Sequence, residues 1–137
     1  MNSPSKCYIV IRNDLDMPEG KFGAQIGHGI DAVWKEVLVA GTMVRAANIA
    51  NEQPKERDIK IQDEISKWVS DGSRKIILKT KSEDELLKIY KKVLSEGCIC
   101  TKIYDYGFNF FDGLTLTGIV VHPCSEEIKT LKRVRLW

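Results

Sequence analysis

No apolar run in this chain approaches the roughly 20 residues needed to cross a bilayer, and the opening "MNSPSK" lacks the apolar core of a signal peptide. Both absences argue against membrane-spanning and secreted classes, so the expectation is a cytoplasmic protein with no membrane partner. Cysteine is sparse and unpatterned. Cys7, Cys98, Cys100 and Cys124 form no Cys-x-x-Cys pair, and no histidine stands near them at zinc-ligand spacing. Buried free thiols are therefore expected, with no metal site and no disulfide. Net charge is only +2, from 21 basic and 19 acidic residues, too little to argue for a nucleic-acid partner by itself. Four of the basic residues fall in "KTLKRVR" (129–135), a pattern that fits a solvated tail or a meeting place for phosphates. There is no internal repeat and no sign of a second domain, and 137 residues suffice for one sizeable core.

What is present reads as alternating strands and helices. "CYIVIR" (7–12) is a buried strand, and from Lys21 to about Leu38 the apolar period becomes helical through Phe22, Ile26, Val33 and Val37. Residues 40–60 are polar, alanine-rich and interrupted by Pro54, so they are expected to form an insertion, partly helical or mobile. "IQDEISKWVSDG" reads as a short helix and "RKIILKT" (74–80) as a second strand. "SEDELLKIYKKVLSEG" is the clearest helix, with Ser82 and Glu85 as a capping box and Gly97 as its stop. "CICTKIY" (98–104) and "TLTGIVVHP" (115–123) supply two further strands, and "SEEIKTLKRVRLW" a terminal helix capped by Ser125. The order β-α-α-β-α-β-β-α predicts a single compact α/β domain over 1–137, with a four-stranded mixed sheet covered by helices.

The first helix raises a question of its own. "GKFGAQIGHG" (20–29) places four glycines where each costs about 0.8–1 kcal/mol relative to alanine in a helix interior. Lys21, Gln25 and His28 fall within a narrow arc, away from the apolar stripe, and could line a site jointly. A solvated polar face is the commoner meaning of such a pattern. Two features favour a site. Gly23 and Gly27 leave a smooth strip for close approach, and Lys21 sits in the first turn, where the dipole disfavours a cation and welcomes an anion.

"RNDLDMPEGKFGAQIGHG" closely resembles the N-terminal signature of the class II peptidyl-tRNA hydrolases, the type typical of archaea and eukaryotes. In that family an Arg-x-Asp-Leu-x-Met segment leads into Gly-Lys-x-x-Ala-Gln-x-x-His. Here Arg12, Asp14, Leu15, Met17, Gly20, Lys21, Ala24, Gln25 and His28 match without a gap. Asp105, Gly107, Thr115 and Thr117 occupy the family's later Asp-x-Gly and Thr-x-Thr places. The departures are Gly23 and Gly29, where the family commonly has alanine, and the loop 108–114, "FNFFDGL", where it has polar residues and a Pro-Gly.

The resemblance implies metal-independent, cofactor-free hydrolysis of the ester between peptide and tRNA. It implies Lys21, Asp105, Thr115 and His28 as catalytic residues, with Gln25, Gly20, Asn109 and Thr117 contacting substrate. Asp105 would orient or deprotonate water, Lys21 would meet oxyanion or phosphate charge, and Thr115 would hold the water or the carbonyl. His28 would protonate the leaving oxygen or steady the tRNA. The implied partner is the single-stranded acceptor end of peptidyl-tRNA, with a homodimer also open. The aromatic loop keeps two alternatives in view: a non-catalytic RNA- or protein-binding module, or a hydrolase of another small acylated substrate.

Overall fold

The β-branched run Lys6–Arg12 forms β1 in the computed structural model, which describes residues 3–108 and 110–137. It is followed by helices α1 (Glu19–Ile49) and α2 (Glu56–Ser70), then β2 (Arg74–Thr80), α3 (Glu83–Ser95), β3 (Cys100–Asp105) and β4 (Thr115–Cys124). A 3-10 turn (Lys129–Arg133) and a two-residue strand β5 (Arg135–Leu136) close the chain. The sheet runs β3-β4-β1-β2-β5, with β1 and β2 parallel and every other pairing antiparallel.

The sheet thus has five strands where four were expected. The terminal helix is replaced by the 3-10 turn and β5. Ile128 and Leu131, three apart, are both buried there, a spacing that eclipses on a 3-10 turn. Glu96, just past α3, accepts from the Lys129 and Thr130 amides at 2.8 and 2.9 Å and so caps that turn. Ser125 caps no helix; its amide donates to Glu64 at 3.2 Å.

Helix α1 is longer than the apolar stripe suggests. The alanine-rich stretch after Leu38 continues it for about three more turns, because alanine has the highest helix propensity. It ends where Asn51 adopts a left-handed φ of 56° and the Glu52 amide returns to the Ala47 carbonyl at 2.8 Å. Pro54 lies in the connection to α2 rather than inside a helix. In α3 the Ser82 hydroxyl accepts from the Glu85 amide at 3.1 Å, as the capping box requires. Its buried face is Leu86, Ile89 and Val93, while Leu94 is exposed.

Helices cover both faces of the sheet. Cys7, Ile9 and Ile11 of β1 pack with Val33 of α1 and with Ile65 and Trp68 of α2. Val10, on the opposite face, packs with Leu86, Ile89 and Val93 of α3 and with Leu131. Burial on both sides explains why β1 reads as a continuous apolar run rather than an alternating one. All four cysteines are free thiols. Among the described residues no helix is long and apolar enough to cross a membrane.

Candidate active site

The carboxyl ends of β1, β2 and β3 and the start of β4 lie at one end of the sheet, and the polar residues of interest gather there. Asp105 is the last residue of β3, buried at 5% exposure beneath the first turns of α1. Lys21, in the first turn of α1, places Nζ 2.6 Å from Asp105 Oδ2. Gln25, one turn further, donates from Nε2 to the same oxygen at 3.0 Å. The Gly107 amide donates to Asp105 Oδ1 at 2.8 Å. Three donors therefore converge on one carboxylate.

These contacts set its charge. Burial alone would raise the Asp105 carboxyl, but Lys21, the Gly107 amide and Gln25 together hold it below its ordinary value. It is ionised at neutral pH. A carboxylate offers about four lone-pair sites, so one remains for a further donor, and the Lys21 ammonium keeps two N–H groups beyond its bond to Asp105.

Gln25 is the pivot of the arrangement. It is fully buried, and its Oε1 accepts from the Thr117 hydroxyl at 2.7 Å. Thr117 reaches it because β4 bulges there. Ile103 pairs with Gly118 but Tyr104 pairs with Leu116, so Thr117 is the extra residue on β4. A bulge of this kind re-aims a side chain beside a site. The Thr117 hydroxyl also lies 3.2 Å from the Ile103 carbonyl. The expectation that Lys21, Gln25 and His28 all point away from the core is corrected here: Gln25 is on the buried face. An amide can occupy that face because both of its ends are bonded.

The remaining expected residues are distributed as follows. Thr115 is the cross-strand partner of Asp105, and its hydroxyl donates to the Gly113 carbonyl at 3.1 Å. Thr117 is wholly buried behind Gln25. His28 is exposed on the outer side of α1, seven residues and so about 10 Å along the axis from Lys21. Gly20 is exposed at the helix start, and nothing stands where its Cβ would be. Asn109 lies outside the described residues. Gly23 and Gly27 face open space, whereas the buried Gly29 is the one that brings α1 close to the sheet, against Ile103, Ile9 and Val120.

Two further participants were given no role at the site by the sequence reading. Arg12, at the end of β1, donates to the Leu116 carbonyl at 2.9 Å and grips Asp14 through two bonds of 3.1 and 2.8 Å, fixing the start of β4. Phe111 stands with its ring centroid 5.5 Å from Lys21 Nζ, within cation–π range. Among the described residues no three Asp, Glu, His or Cys side chains gather closely enough to hold a metal ion.

The family model of peptidyl-tRNA hydrolase PTH2 matches residues 5–133, a span that contains every residue of this site. Several archaeal relatives named peptidyl-tRNA hydrolase are similar over most of their length. That of Methanocaldococcus jannaschii is 34% identical over 122 residues, 89% of either chain. That of Methanococcus maripaludis strain C6 is 35% identical over 119 residues, 87% of this chain and 85% of the relative. That of Sulfolobus acidocaldarius is 30% identical over 123 residues, 90% of both. A match of this extent, carrying the Lys21–Asp105 pair and its supports at one end of the sheet, shows that the chain belongs to the peptidyl-tRNA hydrolase PTH2 family.

Proposed function

We infer that this chain hydrolyses peptidyl-tRNA, cleaving the ester between the peptide carbonyl and the terminal ribose and releasing free tRNA in the cytoplasm. The observation that carries the reading is the Lys21–Asp105 pair at 2.6 Å, held by Gln25 inside the family match.

Water must attack the acyl carbon and the bond from that carbon to the ribose oxygen must break. One water proton passes to the ribose oxygen, and the other is released to solvent as the new carboxylic acid ionises. A carboxylate held below its ordinary pKa is a weak base, so Asp105 acts by orienting the water through its free lone pair rather than by storing its proton. Thr115, opposite it across the β3–β4 ladder, supplies the second contact to that water. The two unused N–H groups of Lys21 face the carbonyl oxygen as it gains charge, a fixed donor set that needs little rearrangement. His28, about 10 Å along the helix from Lys21, is too far to serve the same atoms and instead meets the tRNA.

The same sheet end offers cations for a phosphate backbone. Lys79, Lys81, Arg133 and Arg135 line one groove there with a single carboxylate, Glu85, beside Asn13 and Thr80 at the ends of β1 and β2. Its bonds to phosphate would make tRNA affinity fall steeply with salt.

The test is cleavage of N-acetyl-aminoacyl-tRNA by the purified protein with EDTA present. Lys21→Ala and Asp105→Asn should each lower kcat by about 10²–10³, the scale for removing one preorganised electrostatic group. Wild-type protein that leaves the ester intact, or either variant at full rate, refutes the reading.

A further inference from the structure

Immediately beyond Asp105 the chain exposes aromatic surface that the hydrolytic chemistry does not use. Tyr106 is 73% exposed, Phe108 89%, Phe110 45% and Leu114 64%. Tyr106 and Phe108 already stack on one another, with centroids 6.3 Å apart and planes 27° from parallel. Water gains nothing from rings presented this way, and single-domain proteins seldom leave such groups together without a partner.

Two features place the rings at the reacting centre. The Gly107 amide bonds to Asp105, so Tyr106 and Phe108 flank a residue fixed to the carboxylate itself. Gly107 also has φ of 78°, and any Cβ there would overlap the Gly113 backbone, so the two ends of the loop are pinched together. The loop is thereby anchored beside the site rather than free of it.

Resting on the hydrolase reading above, we propose that Tyr106 and Phe108 form a stacking platform for unpaired bases at the acceptor end of the tRNA. The ester lies on the terminal ribose, so the base attached to that ribose must lie in the neighbourhood of Asp105. The platform is where such a base can go. Every base has a flat π face, so rings bind it without reading sequence. That suits an enzyme that meets many tRNAs through one shared single-stranded end.

The experiment compares equilibrium binding of deacylated tRNA, intact or stripped of its unpaired 3′ nucleotides, to wild type, Tyr106→Ala/Phe108→Ala and Phe108→Trp. Deacylated tRNA carries no peptide, which separates base stacking from peptide contact. Stacking of one base is worth about 1–3 kcal/mol, or roughly 5- to 150-fold in affinity. Wild type should therefore prefer intact over stripped tRNA by about fivefold or more. The double variant should lose that preference, while the dependence of affinity on salt keeps its slope because no cation is removed. Phe108→Trp, which keeps a flat ring, should keep the preference. Equal binding of intact and stripped tRNA by wild type overturns the proposal. So does a double variant that retains the preference, or one whose sole defect is a KM that grows with peptide length. Ester cleavage by wild type in the same preparation separates these failures from a failure of the hydrolase reading.

Discussion

Replacing Gln25 with methionine tests whether the buried amide holds the Asp105 carboxylate in place for the proposed hydrolysis or merely fills space. The side chains are similar in length and both favour helix, so α1 and its packing should persist. Two hydrogen bonds disappear, the 3.0 Å bond to Asp105 and the 2.7 Å bond from Thr117. Neither partner is left orphaned: Asp105 keeps Lys21 and Gly107, and Thr117 keeps the Ile103 carbonyl. A bond to a charged group is worth about 1.5–3 kcal/mol net and a neutral one about 0.5–1.5. Burying the methionine thioether offsets about 1–2 kcal/mol of that loss, leaving a destabilisation of about 1–3 kcal/mol. At this chain length that lowers Tm by about 4–12 °C. Scanning calorimetry and steady-state cleavage at 25 °C, well below either transition, separate the two roles. If Gln25 positions Asp105, kcat falls by about 10- to 100-fold even where the variant is fully folded, since small displacements at a reacting centre have effects of that size. Gln25→Glu sharpens the comparison, because a carboxyl there would share a site with Asp105 and be tolerated best when protonated, shifting optimum activity to lower pH. A lowered Tm with wild-type kcat in Gln25→Met would refute the positioning role.

Two further outcomes follow from other parts of the fold. Burial pulls the His122 imidazole from 6.5 down to about 4, with Glu36 opposing and Arg57 adding to the shift. The unfolded chain therefore binds the extra proton between those values. Stability should be full above about pH 6.5, fall by on the order of 3 kcal/mol as pH drops toward 4, and level off below. Urea midpoints at pH 7 and 4.5 measure this, and His122→Gln should flatten the difference. Glycine substitutions should have opposite signs. A Cβ on Gly118 would stand 2.5 Å from the Val10 carbonyl, so Gly118→Ala should cost about 1–3 kcal/mol. Gly27 meets open space on an exposed helix face, so Gly27→Ala should gain about 0.8–1 kcal/mol. Urea denaturation reads both.

Much of the framework is legible in the sequence because it rests on local signals. The β-branched runs mark strands, and Ser82 with Glu85 marks the start of α3. What escaped is non-local. Two residues, Arg135 and Leu136, are too few to carry a strand pattern, and they become β5 only because β2 offers a free edge. Gln25 reads as surface until its partners are known, and these lie 80 and 92 residues away. Apart from the motif likeness Thr117 reads as one more β-branched strand residue; its bond to Gln25 comes from the bulge, which no alternation of side chains announces. Motif likeness brought Lys21 and Asp105 together, whereas periodicity alone set Gln25 on the wrong face of α1.

The first strand of the chain lies at the middle of the sheet, and this has a bearing on how the molecule comes into being. Ile9 pairs on one side with Ile77 and on the other with Val120, more than a hundred residues later. During synthesis β1 emerges apolar and with both edges open, and it must wait for nearly the whole chain before its second partner exists. Loop closure over such separations slows folding and prolongs exposure of unpaired edges. Helices α1 and α2, which both lie between β1 and β2 in sequence and pack on the face carrying Ile9, are available first. They can cover one side of the waiting strand until β4 arrives, and β4 brings Thr117 to Gln25. Assembly of the sheet end that carries Asp105 is therefore expected among the last events of folding, and a nascent chain lacking β4 is expected to have helices and part of a core without the Asp105–Gln25–Thr117 network.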